Sequence, residues 1–535
     1  GIDATSIIQV AGDLTINGTV TLTTSTLDCN GNVTINASGT LTGSSGELDL
    51  AGATMVNNGT FSPGTGAITL QGTFAGTGLD LSNAQVTLGG NMTISAALST
   101  NTSTSFTTGA YILNWNGGGT LDGMITIDIG GSFNITAGTP TVGADIVLNG
   151  GTLDLDVVTT VNGDITHTAS SSIDVISSLA YAGALVNIGA FTLTLPGVGT
   201  ISNTNALTLN NAASILLVSG ASNTINAVSV VGADLTTGRI DVNANTTFTN
   251  LSLSNTANLD IAATKTLTVT NALAVPATET LTIYETGTLA TSGTLTVTGN
   301  LVLAAASILD LNGTLAMNGT FTNTGSGTVD LTGTTLILGS NFDIGGGTLT
   351  TSTTDLTMTA NATLTSGAAV AIQTLILGTD HALTLGSATT DLTVTNVVTF
   401  DNASDQIVTG TADLTLSVAP SFSDGSITST AGTITLPSGS TIGGGIINVG
   451  GSTLVLNGNL DVGSATFTAP NELSLNGNAT LTDTGTITVT TLTLNDLALT
   501  LSGTNLTVTS PVTFDNSAEQ IVTGAADLIL SNAPT

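Results

Sequence analysis

The sequence predicts an all-β chain, a parallel β-solenoid with about 20 residues per coil. Three observations predict it. Apolar residues alternate with Thr, Ser, Asn or Asp from end to end, as in Leu295-Thr-Val-Thr-Gly-Asn-Leu-Val-Leu303 and Leu309-Asp-Leu-Asn-Gly-Thr-Leu-Ala-Met317. The runs break at Gly, Asn-Gly or Gly-Gly, and no helical stretch intervenes. A long segment also recurs. Period-two alternation places one face of a strand in a core and the other in water.

The alternating runs are short, as the strands of a three-strand coil are. Turn glycines near Gly31, Gly52, Gly72, Gly89, Gly117, Gly130 and Gly150 act as a ruler. Their irregular spacing averages about 20 residues, within the solenoid range. Alternation alone also fits antiparallel hairpins. The recurrence argues for coils: residues 392–420 return as 506–534, with Phe400 matching Phe514 at an offset of 114. That offset suggests about six whole coils, which would preserve register. Upstream, Asp380-His-Ala-Leu-Thr-Leu385 matches Asp496-Leu-Ala-Leu-Thr-Leu501 at an offset of 116, a two-residue length change that a loop absorbs. A string of immunoglobulin-like sandwiches is the rival, but no periodic Trp, recurrent Tyr or charged linker supports it.

On this reading, residues 1–535 form one continuous solenoid of about 27 coils, roughly 130 Å long at the inter-strand spacing. Inward Leu, Val and Ile would stack coil on coil. Outward Thr would favour extended backbone while keeping its hydroxyl wet. Asn and Gly at bends are expected to supply left-handed conformations. Neither end reads as a cap, so coils are expected to continue, in a longer chain or by end-to-end stacking of subunits. The opening Gly1-Ile-Asp-Ala4 lacks a basic n-region and signal core, as after removal of a targeting segment or in an excerpt.

Composition narrows the function classes. The 535 residues are 40% hydrophobic but only 3% aromatic, with Trp115 alone of its kind. One Lys (Lys265) and one Arg (Arg239) face 35 acidic residues, for a net charge of -33. Nucleic-acid binding needs several basic contacts with phosphates and is excluded on that count. Anionic membrane surfaces are disfavoured for the same reason, and no run of 18 apolar residues offers a spanning helix. The acidity reads as solubility and self-repulsion, or as loose cation binding. Cys29 is the sole cysteine, so no intramolecular disulfide forms, and Leu27-Asp-Cys29 points its thiol inward.

Runs such as Gly12-Asp-Leu-Thr-Ile-Asn-Gly-Thr-Val-Thr-Leu22 and Gly319-Thr-Phe-Thr-Asn-Thr-Gly-Ser-Gly-Thr-Val-Asp-Leu-Thr-Gly333 resemble the coils of filamentous-haemagglutinin and autotransporter-type surface proteins. The resemblance is one of repeat style and covers the whole chain. It implies a right-handed parallel β-helix, secretion, and an adhesive or structural role at a microbial surface. The chain departs from that group in its scarcity of basic residues and in showing neither a secretion domain nor a membrane barrel.

Candidate chemistry is sparse. His167 and His381 lie far apart and read as solvated or edge residues. Carboxylate pairs merit a test, because glycoside cleavage uses two. The candidates are Glu47 with Asp49, Asp154 with Asp156, and the lone Asp343. With Leu153, Leu155 and Val157 inward, Asp154 and Asp156 would share the wet face, about 7 Å apart along a strand. Gly117-Gly-Gly119, Gly345-Gly-Gly347 and Gly443-Gly-Gly445 lack the Lys-Ser of a phosphate loop and the nine-residue calcium pattern, and read as bends. Asn17-Gly-Thr19, Asn58-Gly-Thr60, Asn312-Gly-Thr314 and Asn478-Ala-Thr480 are turn sequences or glycosylation acceptors. Thr266-Leu-Thr268 and Thr294-Leu-Thr296 read as ordinary strand Thr or as hydroxyl arrays of the ice-binding type.

The expectation is therefore a non-enzymatic, extracellular structural solenoid, a fibre or adhesin stalk, without catalytic, cofactor or metal residues. A self-assembling filament subunit is the alternative, and a polysaccharide-degrading β-helix the remote one. Expected partners are further coils of the same kind, glycans or a cell surface.

Overall fold

The computed structural model describes residues 6–138, 140–181, 186–197, 199–203, 207–220, 223–230 and 239–535. The opening Gly1–Ala4 lies outside them. Among the described residues every regular element is a strand, most of three to five residues, and no helix is long and apolar enough to cross a membrane. The strands pair in parallel, each with strands one coil before and one coil after, which is a β-solenoid. The chain forms two compact units, Gly1–Thr270 and Asn271–Thr535.

In the first unit, Leu27, Leu48, Ile68, Val86, Phe106, Ile125, Ile146 and Ile165 pair in register, rung on rung. Successive members are 18 to 21 residues apart, and each is at most 2% exposed. A second inward column runs Met55, Phe74, Ile94, Trp115, Ile135, Leu155 and Val175. Trp115 also stacks on Phe133, with ring centroids 6.2 Å apart. Each buried side chain contributes on the order of 1.5–3 kcal/mol before chain entropy. Regular rung-on-rung stacking of aliphatic side chains explains how a core with few rings is buried.

The second unit repeats the scheme. Leu273, Leu295, Leu315, Leu336, Leu356 and Leu375 form one column. Leu392, Leu414, Ile434, Leu454, Leu473 and Leu492 form another, 22, 20, 20, 19 and 19 residues apart. Phe400 and Phe422 stack with centroids at 4.4 Å.

The duplicated block corrects one expectation. Its local register is kept: Leu383 pairs with Ile407 and Leu392 with Leu414, as Leu499 pairs with Ile521 and Leu506 with Leu528. Its place in the stack is not kept. Ala382–Leu385 belongs to the sheet that runs from Phe342–Asp343 to Thr466–Thr468, whereas its match Ala498–Ser502 joins the sheet that begins at Thr399–Phe400. The second copy is therefore turned by one face of the coil, and the offset of 114 is not a whole number of coils. All faces present the same aliphatic inward pattern, so any strand fits any face. The strand with its bend, not the coil, is the interchangeable unit.

At the bends glycine meets the expectation of left-handed backbone, with positive φ at Gly72, Gly130, Gly345 and Gly445 among others, and asparagine seldom does. Among the described residues, only Asn83 and Asn495 of the asparagines have positive φ. Asparagine and aspartate instead staple rungs together. The Asn361 Oδ1 accepts the Ala382 N–H at 2.8 Å, Asp391 Oδ1 the Asp413 N–H at 2.9 Å, and Asn459 Oδ1 the Thr480 N–H at 2.9 Å. Several Asn-Gly glycines serve close approach: a Cβ on Gly59 would lie 2.3 Å from the carbonyl oxygens of Asn36 and Gly39. The glycine ruler mixed corners. Gly31, Gly52, Gly72, Gly89, Gly130 and Gly150 share one, between the two inward columns, whereas Gly117 lies at the next, after Ile112–Trp115, hence the uneven spacing.

Candidate functional site

Outward positions stack as regularly as inward ones, so carboxylates meet across rungs. Asp28 pairs with Asp49, Asp154 with Asp174, Asp310 with Asp330, and Asp241 with Asp260. Neighbouring rungs are about 4.8 Å apart. Burial, reinforced by the neighbouring carboxylates, raises the pKa of Asp49, Asp154, Asp174 and Asp310. The fourth pair is bridged by Arg239, whose guanidinium lies 3.2 Å from Asp241 Oδ2 and 3.2 Å from Asp260 Oδ2 and offsets one of the two charges.

The expected sites are placed as follows. Asp154 is outward on Thr152–Leu155 and half-buried, with Oδ1 lacking a hydrogen-bond partner. Asp156 lies beyond the end of that strand, at a bend with Val157, which is only partly buried. Behind burial, the charges of Asp156 and then Asp174 raise the Asp154 pKa, so an inter-rung partner joins the expected pair instead of replacing it. Glu47 likewise precedes its strand, and Asp49 meets Asp28. Asp343 is exposed and its Oδ1 accepts the Gly345 N–H at 2.8 Å, a bend role. The three Gly-Gly-Gly runs fall at bends, with positive φ at Gly119, Gly345 and Gly445. Asn17, Asn58, Asn312 and Asn478 are exposed. Thr268 stacks on Thr247, but Thr296 stacks on Ala274 and Ala316, which interrupts the hydroxyl column there.

Cys29 is a buried free thiol, as expected. Burial raises its pKa and suppresses the thiolate. His167 departs from expectation. It takes an inward position on Ile165–Ala169 and is 9% exposed. The alternation held the signal, since Ile165 points inward and His167 lies two residues on.

The bend of the duplicated block holds acidic residues that sequence reasoning passed over. Asp496, Asp515 and Glu519 bring carboxylate oxygens within 4.8 Å of one another. They border a cleft of about 460 Å³ that Thr491, Thr493 and Pro511 also line. The earlier copy has a matching cleft of about 310 Å³, bordered by Thr374, Ile376, Val397 and Asp401. Both bends are held from below. Asp405 Oδ2 accepts the N–H groups of Asp401 and Asn402 at 3.0 and 3.1 Å. Glu519 Oε2 accepts the Asp515 N–H at 2.7 Å, and its Oε1 accepts the Asp496 N–H at 3.3 Å. The extra methylene lets Glu519 span two rungs where Asp405 serves one. Comparison with family models, curated proteins and solved structures finds no match to this chain.

Proposed function

We propose that the chain is a non-enzymatic structural solenoid, a fibre or adhesin stalk at a microbial cell surface. The observation that supports it most is the run of in-register apolar columns in both units, broken by little other than loops. Such a stack spends its sequence on stiffness, through a backbone ladder and a dry interior, and leaves its outer face to Thr, Asn and Asp. A net charge of -33 keeps that face soluble and repels anionic surfaces and nucleic acids. The spread of outward Asp along the rungs supports a scaffold over a sugar-cleaving groove.

Electron microscopy of the purified chain tests the reading. Narrow segments of uniform width are expected, and globules joined by hinges would overturn it. A polysaccharide-depolymerisation screen is expected to be blank. Activity that disappears on Asp154→Asn or Asp174→Asn would establish the enzyme reading instead.

A second reading, end-to-end assembly, has its own observation. Ile521, Leu528 and Leu530 are half-exposed, although their matches Ile407, Leu414 and Leu416 are 0% exposed beneath a following rung. A further rung, of a following segment or of a second copy, would bury them. Fibres that grow with protein concentration and disappear on Leu528→Lys support assembly of copies. Particles of constant length at all concentrations count against it.

A further inference from the structure

His167 interrupts a column that is mostly apolar. On the rung before it lies Leu148, its register partner. On the rung after, Val186 and Asn187 pair with Ile165 and Thr166, and the next residue, Ile188, is fully buried. Both imidazole nitrogens are buried and neither has a hydrogen-bond partner. The register also slips beside it, where Asn149 skips Thr168 to pair with Ala169. A polar ring held without partners, next to a slipped register, is a weak point in its column.

The charged groups around it offer no compensation. Ile146–Asn149 and Val186–Asn187 carry no titratable residue. Asp145 and Asp164 lie at the bends leading into these strands, where Asp145 Oδ1 accepts the Asp164 N–H at 2.9 Å. Asp128 accepts from the Asn149 side chain at 2.9 Å. Asp174, on Ser171–Val175, stacks outward with Asp154. The buried Tyr181 hydroxyl accepts the Ile165 N–H at 3.2 Å. Burial alone therefore sets the imidazole, and holds its pKa down at about 4.

We propose that His167 is an acid-operated release within the first unit: a proton on its imidazole drives Ile165–Ala169 out of the stack and opens the neighbouring rungs. The sign follows from linkage. The depressed value means that the opened state binds the proton more readily. Stability is complete above the ordinary histidine value, falls as the pH drops towards about 4, and changes no further from this group below that. Across that window the open-to-closed ratio rises on the order of a few hundred-fold. Opening bares Leu148 and Ile165, so an acidified surface would gain an apolar, self-adhesive patch.

Urea-unfolding midpoints from pH 7.5 to 4, in wild type and His167→Leu, test the proposal. The wild type is expected to lose stability over this range relative to the variant, which extends the column of Leu148. Parallel curves would overturn it. Should the variant not fold, histidine-labelled NMR decides with the wild type. The chain has two imidazoles, and His381→Gln assigns them. A His167 signal that stays neutral until the fold opens supports the release. A signal that titrates near 6.5 in the intact fold sinks it.

Discussion

Asp310 and Asp330 occupy the same outward position on consecutive rungs, with Ala290 before them and Thr350 after. No cation accompanies them in that column. Like charges directly opposite on paired strands are destabilising, by roughly 0.2–1 kcal/mol. Burial, then the Asp330 charge, raises the Asp310 pKa. A raised folded value means the folded state binds the proton more tightly. Its stabilising contribution is present in acid and is lost as the pH climbs through that value. Asp310→Asn should therefore stabilise the protein by about 0.5 kcal/mol at pH 7. The gain should shrink as the pH is lowered towards 4. Thermal unfolding of both proteins at the two pH values checks this, and an equal gap at both would refute it.

Arg239 converts the same geometry into an attraction. Its side chain is 42% exposed and reaches one carboxylate on its own strand and one on the next rung. An exposed pair is worth little, but a guanidinium that relieves a carboxylate stack removes a repulsion as well. Arg239→Gln should lower stability by about 1 kcal/mol at low salt. Raising the ionic strength should narrow the difference, since screening acts on both the attraction and the repulsion it relieves. A loss that is unchanged by salt would show that packing, not charge, is the role of Arg239.

These stacks explain what the sequence made legible and what it hid. Period-two alternation showed the strands and the inward Cys29, because burial writes itself into every second residue, while the coil length and the recurrence pointed to stacked coils. His167 was legible too, from the inward Ile165, but rarity in a core argued for the wrong face. Which outward residues meet was hidden. Asp154 meets Asp174 as well as Asp156, because coils of 18 to 22 residues shift the register by amounts that bends decide. The turned duplicate was hidden for the opposite reason. Leu383 and Leu499 sit on different faces, and nothing in either segment distinguishes one face from another.

Gly333 and Thr353 hold the same place in consecutive bends, with φ of 73° and 60°. Each is the third residue of a four-residue turn, closed by Thr334 N–H to Leu331 O and by Thr354 N–H to Thr351 O, both at 3.1 Å. A left-handed conformation costs a β-branched residue roughly 1–2 kcal/mol. Glycine relieves that strain but adds freedom to the unfolded chain. Thr353→Gly should therefore stabilise by about 0.5–1 kcal/mol. Gly59→Ala should do the reverse, by about 1–3 kcal/mol, since its Cβ would overlap backbone oxygens of the rung before. Chemical denaturation of the two variants should give shifts of opposite sign. Stabilisation by Gly59→Ala would show that the rungs give way easily.

Trp115 is the one indole in the chain, 0% exposed between Ile94 and Ile135 in the first unit. Its fluorescence therefore reports on that unit, with blue emission while the rungs hold and red emission when they part. Trp115→Ala removes the largest side chain of its column and also the stack on Phe133. The loss should be about 3–5 kcal/mol, because regular rungs on either side limit collapse into the cavity. Unfolding followed by circular dichroism in this variant should show an early step that the fluorescence of the wild type assigns to residues 1–270. The late step should keep the wild-type midpoint if Asn271–Thr535 unfolds as a unit of its own. A single transition, shifted as a whole, would mean that the two units share one cooperative stack.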